Sequence, residues 1–117
     1  MRVTTIYADL PVPDIAAARS FYVEYLGLSD ESIGMDWVTR FSSPDTGASL
    51  QLVTHDATAP EDPAVSVKVD DVEAAYDEAR DRGYEIVHPL TKEPWGVHRF
   101  FVRAPDGTVL NIVAHVE

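Results

Sequence analysis

The residues best suited to chemistry or binding are concentrated in one stretch, EPWGVHRFFVRAPDGTVLNIVAH (93–115). Trp95 lies there in a Pro-Trp-Gly loop, and Arg99, Phe101 and Asn111 follow in two predicted strands. Tryptophan offers a large flat surface for stacking, arginine a permanent charge, and asparagine both a donor and an acceptor. These residue types are compatible with a metal centre, with a site that binds a small molecule without catalysing a reaction, or with part of the hydrophobic core.

The four histidines, His55, His88, His98 and His115, show no spacing typical of a metal site. Neither HxH nor HExxH occurs, and His55 and His115 fall near the ends of predicted strands. The chain has no cysteine and no G-x-S-x-G motif, so the common nucleophile arrangements are missing as well. We therefore predict no cofactor, no histidine metal site and no catalytic residue.

Composition limits the classes of partner. The 117 residues favour a single domain, and 45% hydrophobic residues are typical of a globular chain. A formal net charge of −11 repels nucleic acid and anionic membranes. No apolar run approaches the length of a membrane span and no leader is recognisable, so we expect no membrane partner. The lack of cysteine is consistent with a cytoplasmic location.

The chain contains an internal repeat. VPDIAAARSFYVEYLG (12–27) matches VDDVEAAYDEARDRG (69–83), and SPDTGASLQLVTH (43–55) matches APDGTVLNIVAH (104–115). The two matches keep the same order, with an offset of 57 residues from Val12 to Val69 and of 60 residues from Leu50 to Leu110.

We interpret the repeat as two modules within one domain of residues 1–117. Module one covers 1–55 and module two covers 64–117. The intervening 56–63, DATAPEDP, is rich in proline and acid and is predicted to be a linker.

Each module is predicted to have the order βαβββ, which gives an α+β fold. Asp14 and Asp71 are suited to cap the two helices, and Gly27 and Gly83 to end them. In the first helix, Ile15, Ala18, Phe21 or Tyr22, and Tyr25 recur at helical spacing. The predicted strands are 3–10, 28–33, 36–43 and 47–54 in module one, and 64–69, 84–89, 97–103 and 108–115 in module two.

Strand alternation predicts which side chains turn away from the helices. Ile6, Ala8 and Leu10 are the apolar set of the first strand and are expected to meet the helix, which leaves Tyr7 on the other face. We call that other face of the sheet the non-helix face. The same reasoning places the repeat-equivalent Gln51, Ala64 and Asn111 on it.

The turn APDG adds further residues to that face. Pro105-Asp106-Gly107 suits a three-residue hairpin loop with Gly107 in the left-handed conformation, which would pair Phe101 with Asn111. Directly paired residues share a face, so Phe101 and Arg99 join Asn111. By the repeat, Arg40 takes the place of Phe101 in module one.

The sequence resembles the vicinal oxygen chelate superfamily, which includes glyoxalase I, extradiol dioxygenases and bleomycin resistance proteins. VPDIAAARSFYVEYLGL (12–28), RAPDGTVLNIVAH (103–115) and the preceding EPWG (93–96) carry the resemblance, which extends over essentially the whole chain. Its motifs are most similar to those of bleomycin-resistance-like members. The resemblance implies two βαβββ modules forming an open, barrel-like sheet around a cleft, and a homodimer.

The resemblance also implies where a divalent metal would bind. In the family pattern the four ligands, mostly histidine and glutamate, fall at Tyr7, Gln51, Ala64 and Asn111. Alanine cannot ligate, and two neutral amides and a phenol are poor ligands for such metals. The metal positions are therefore not retained in this sequence.

These observations favour a metal-free protein that binds a small molecule, such as an antibiotic or an aromatic metabolite. The predicted ligand contacts are Tyr7, Arg40, Gln51, Trp95, Arg99, Phe101 and Asn111. The alternative is a glyoxalase-like lyase or isomerase, or a dioxygenase, with a non-standard metal site. A third hypothesis is a metal-free enzyme that uses Tyr7 or a histidine as acid or base. The expected partners are a small-molecule ligand and a second copy of the chain.

Overall fold

The computed structural model of the protein describes residues 1–115. It contains an eight-stranded sheet in the order β2-β3-β4-β1-β5-β8-β7-β6, together with two short α-helices. The elements are β1 Val3–Pro11, α1 Ile15–Ser20, β2 Ser29–Glu31, β3 Val38–Ser42, β4 Ser49–Val53, β5 Val65–Val69, α2 Val72–Asp81, β6 Ile86–Lys92, β7 Val97–Arg103 and β8 Val109–His115. The predicted α+β class and the order βαβββ in each module are confirmed.

Two compact units make up the chain. One is Tyr7–Thr58, called the first unit below, and the second unit comprises Met1–Ile6 and the residues from Ala59 onward. Strand β1 contributes to both units, because its first residues belong to the second. Within each unit the first strand runs parallel to the last one, β1 to β4 and β5 to β8, while β3–β4 and β7–β8 are antiparallel.

The helix caps lie where the sequence predicts them. The side chain of Asp14 accepts a hydrogen bond from the backbone N–H of Ala17, and Asp71 does the same for Ala74. Each carboxylate thereby satisfies a backbone donor that has no partner inside the helix.

The first helix differs from the prediction beyond Ser20. Phe21–Tyr25 forms a π-helical turn, with a backbone hydrogen bond from Leu26 N–H to the carbonyl of Phe21. The wider turn breaks the 3.6-residue spacing on which the prediction relied. Tyr22 packs in parallel against the ring of Phe41, whereas Tyr25 is 76% exposed.

The hairpin between β7 and β8 has the predicted register. Ala104 N–H donates to the carbonyl of Thr108, Gly107 has φ +94°, and Phe101 pairs with Asn111. The backbone N–H of Thr108 donates to Asp106, and this hydrogen bond holds the pKa of the Asp106 carboxyl below its usual range. The turn therefore fixes which side chains of β7 share a face with Asn111.

Separate apolar clusters cover the helix-facing side of each unit. Phe100 and Ile112 pack against Val72, Ala75 and Ala79 of α2, as alternation predicts. In the first unit, Phe41 and Leu52 pack against Ile15, with Leu10 at the margin. The expectation for Ile6 and Ala8 is wrong, since both are exposed, Ile6 by 60%. The helical residues 15–25 rise by about 1.5 Å each and the nine strand residues by about 3.3 Å each, so the helical segment does not cover the full length of β1.

Candidate functional site

The first unit carries a connected polar cluster on its non-helix face, formed by Tyr7, Asp9, Arg40 and Gln51. Cross-strand pairing of Arg40 with Gln51, and parallel pairing of Asp9 with Gln51, bring these side chains together. Arg40 donates to Gln51 Oε1 from Nη2 at 3.0 Å and from Nε at 3.3 Å. We refer to these four residues as the first cluster.

Both polar atoms of the Gln51 amide are used within the first cluster. Its Oε1 accepts from Arg40, and its Nε2 donates to Asp9 Oδ1 at 2.7 Å. The Arg40 guanidinium also lies 4.6 Å from the centre of the Tyr7 ring, a cation–π distance. Because Tyr7, Asp9 and Gln51 are buried, the network holds Arg40 in one orientation.

The second unit carries a different set of residues, called the second cluster: His88, Glu93, Trp95, Arg99 and Phe101. Arg99 donates to Glu93 Oε2 from Nη2 at 2.6 Å and from Nε at 2.7 Å, and His88 Nε2 lies 3.3 Å from the same oxygen. All three polar side chains are buried. The arginine that the sequence offers as a ligand contact is thus paired with a carboxylate in the protein.

Arg99 also lies between aromatic rings. Its guanidinium carbon is 5.0 Å from the centre of the Trp95 ring and 4.8 Å from that of Phe101. Trp95 is half-buried, whereas Phe101 is fully buried and packs edge-on against His88. Trp95 therefore keeps accessible surface, and Phe101 belongs to the buried support behind it.

Asn111 is buried across from Phe101 and has Ser66 as its hydrogen-bond partner. Its Nδ2 donates to Ser66 Oγ at 3.0 Å. Its Oδ1 is shielded from solvent and accepts no hydrogen bond from the residues that the structure describes.

The residues at the positions that the resemblance assigns to metal ligands do not fit a divalent ion. Ala64 has no donor atom, and its backbone N–H donates to the carbonyl of Val109. Both polar atoms of the Gln51 amide are engaged, Oε1 by the Arg40 guanidinium and Nε2 by the Asp9 carboxylate, so Oε1 is not free to ligate a metal ion. Among residues 1–115, no group of three or more histidine, aspartate or glutamate side chains is arranged to hold a metal ion.

A pocket of about 320 Å³ lies elsewhere in the first unit, and none of the predicted ligand contacts lines it. It lies by the start of α1, between Ile15 and Met35, with Thr39 and Thr54 of the helix-facing side of the sheet at its wall. Arg19 in this pocket is paired with Asp30 at 2.7 Å.

Strand alternation places Asp9 on the face of Tyr7, as the structure shows, whereas the sequence reasoning gave His88 and Glu93 no place in a site. Glu93 stands beside the Pro-Trp-Gly motif, but nothing in local spacing indicates that it folds back onto Arg99. His88 reaches the same carboxylate because β6 is irregular around its pairing with Phe101.

Comparison with known proteins decides the family. The model of the Glyoxalase/Bleomycin resistance protein/Dioxygenase superfamily matches residues 4–112. The chain belongs to this superfamily. A search of curated proteins finds no match.

Solved structures share the superfamily fold of this chain. A superfamily member from Vibrio splendidus is 20% identical, with a TM-score of 0.72 over 97% of this chain and 99% of that one. An NAD-dependent benzaldehyde dehydrogenase from Legionella pneumophila is 21% identical, with a TM-score of 0.77 over 95% and 99%. An uncharacterised protein from Methanosarcina mazei is 25% identical, with a TM-score of 0.67 over 98% and 94%. These likenesses concern the fold.

No helix in the part of the chain that the structure describes is long and apolar enough to cross a membrane.

Proposed function

We propose that this superfamily member is a metal-free binding protein that sequesters a small, partly aromatic molecule, such as an antibiotic or an aromatic metabolite. The proposal rests on the hydrogen bonding of Gln51: its Oε1 accepts from Arg40 and its Nε2 donates to Asp9. The side chain at a position that the resemblance assigns to a metal ligand is therefore already hydrogen-bonded to other residues of the protein.

The remaining metal positions support the same proposal. Ala64 supplies no ligand, and the Asn111 amide is a weak one. A lyase, isomerase or dioxygenase of the glyoxalase type would need a metal bound through other residues. No such group is present among residues 1–115.

Trp95 is the proposed stacking surface. It is half-buried, and the guanidinium of Arg99 supports its ring. Arg99 is in turn held by the buried Glu93, so the ring has a fixed support rather than a mobile one. A preorganised aromatic surface loses little conformational freedom when a flat ligand stacks on it.

The two arginines differ in what they offer a ligand. The charge of Arg99 is paired with Glu93, whereas Arg40 is hydrogen-bonded to a neutral amide and stacked on Tyr7. Arg40, which is joined to the Asp9 carboxylate only through the Gln51 amide, therefore supports contact with an electron-rich ligand group near the first cluster. Tyr7 contributes a phenol at the same place.

The proposal includes a cytoplasmic homodimer. Support for the dimer comes from the π-helical turn, where Phe21 is 54% and Tyr25 76% exposed and their ring centres lie 5.2 Å apart. Adjacent exposed aromatic side chains are typical of protein interfaces.

Tryptophan fluorescence tests the binding function. A thermal-shift panel of antibiotics, aromatic acids and dicarbonyl adducts selects compounds that raise Tm, and these are titrated against Trp37→Phe, in which Trp95 is the remaining tryptophan. We expect the ligand to quench Trp95 emission. Trp95→Ala should bind the same compound at least about tenfold more weakly, because it loses a stacking contact worth about 1.4 kcal/mol. A panel without any stabilising compound would contradict the proposed function, and an unchanged affinity in Trp95→Ala would remove Trp95 from the site.

A further inference from the structure

Gln51 and Asn111 are repeat-equivalent amides, yet the protein satisfies them to different extents. Gln51 has a partner for each polar atom. Asn111 uses Nδ2 to donate to Ser66, while its Oδ1 is without a hydrogen bond from residues 1–115. Both polar atoms of the Gln51 amide are therefore hydrogen-bonded within the first unit, whereas Asn111 Oδ1 in the second unit is a buried acceptor without a donor among residues 1–115.

An open acceptor in this position is unusual. Asn111 is 8% exposed and Ser66 2%, so bulk water does not solvate the amide. Nearly all buried polar groups in proteins have a partner, because burial without one leaves the lost hydration uncompensated. A sequence that only needed to fill this place could use a leucine of similar shape.

The surroundings of Asn111 point to the chemistry of the missing donor. Phe101 pairs directly across from it, and Ser66 is its neighbour on β5. Asn111 is thus paired with an aromatic residue, on the strand next to the one that carries Arg99, whose guanidinium contacts the half-buried Trp95 ring. An aromatic ligand that stacks on Trp95 and carries a donor on or next to its ring matches both features.

We propose that Asn111 is a specificity-determining residue, whose Oδ1 accepts a hydrogen bond from an N–H or O–H group of the bound aromatic molecule. This inference rests on the proposed binding function and deepens it by naming the ligand class: indoles, phenols and aromatic amides with a free donor. Gln51, in contrast, organises the first cluster.

The shielding of Oδ1 has a consequence for binding. A hydrogen bond from a ligand donor to this buried atom is protected from competing water. A site that hydrogen-bonds its ligand rejects an analogue lacking the donor, since the buried acceptor would stay unpaired.

Two isomeric probes isolate this hydrogen bond. 3-Methylindole keeps the ring N–H, and 1-methylindole has the same size but no donor. Their Kd values are measured by NMR titration of wild-type protein, Asn111→Leu and the control Thr4→Val, which removes the exposed hydroxyl that donates to Lys68. Wild type and the control should prefer 3-methylindole by roughly fivefold to tenfold, the effect of one neutral hydrogen bond, and Asn111→Leu should lose the preference.

A second variant keeps the test decisive if Asn111→Leu does not fold. Asn111→Asp retains an acceptor at this position and should keep the preference for 3-methylindole. Equal binding of both isomers to wild type, or a preference that persists in Asn111→Leu, would overturn the role of Asn111 and leave the binding function standing. If neither isomer binds wild type while panel compounds do, the assigned ligand class is wrong; if nothing binds, the proposed function fails as well.

Discussion

Glu93 is the residue that connects the charged and aromatic parts of the second cluster. One of its oxygens lies 2.6 Å from Arg99 Nη2 and 3.3 Å from His88 Nε2. Arg99 in turn contacts the rings of Trp95 and Phe101. The position of the proposed stacking surface therefore depends on a buried carboxylate that does not itself touch it.

Glu93→Gln should lower the free energy of unfolding by about 3 kcal/mol, because removing one partner of a buried ion pair leaves the other charge without its counterion. Urea unfolding at neutral pH measures the loss. Glu78→Gln is the matched control, since it breaks an exposed pair with Arg82 whose side chains are 59% and 61% exposed. We expect that control to change stability by less than about 1 kcal/mol. Equal losses in both variants would show that the second cluster does not depend on its ion pair.

Some of these residue-scale features are predictable and others are not. Alternation and the APDG turn correctly place Arg99 and Phe101 on one face with Asn111, because strand geometry and loop length are local properties. The pairing of Arg99 with Glu93 depends on how the loop after β6 folds back. The ligand contacts themselves stay predictions.

At the scale of elements, the π-helical turn is the main departure from expectation. Helical spacing predicts Tyr25 on the buried face, but the turn at Phe21–Tyr25 shifts that residue outward while Tyr22 stays stacked on Phe41. Sequence periodicity assumes a constant residue angle, and a single wide turn is enough to break it. The caps at Asp14 and Asp71 were predictable because each rests on one local hydrogen bond.

The exposed turn leads to a prediction about assembly. If a second copy covers Phe21 and Tyr25, Tyr25→Lys should shift the protein toward monomer, since it places a charge in an apolar interface. Analytical ultracentrifugation over a range of protein concentrations measures the shift. Tyr84→Lys is the control, as Tyr84 is also exposed (44%) but lies outside the turn. A wild-type protein that is monomeric at all concentrations would contradict the proposed dimer.

At the scale of the whole molecule, superfamily membership is compatible with a metal site, whereas the residues at the positions that the resemblance assigns to metal ligands are poor ligands. The family model covers residues 4–112. A divalent metal needs a set of ligating side chains. This chain has an alanine, a phenol and two amides there. One of those amides, Gln51, already has both polar atoms hydrogen-bonded, to the Arg40 guanidinium and the Asp9 carboxylate. The chain thus has the superfamily fold, while the positions that the resemblance assigns to metal ligands carry side chains that bind divalent metals weakly or not at all.

Metal content is the most direct test of this account. Purified protein is incubated with zinc, nickel, manganese or ferrous ions, passed through a desalting column and measured by elemental analysis against a buffer blank. We predict far less than one ion per chain, because Gln51 and Ala64 offer no free ligand and Asn111 offers a neutral amide. One tightly held ion per chain, lost when Gln51 or Asn111 is replaced by leucine, would contradict the metal-free binding function.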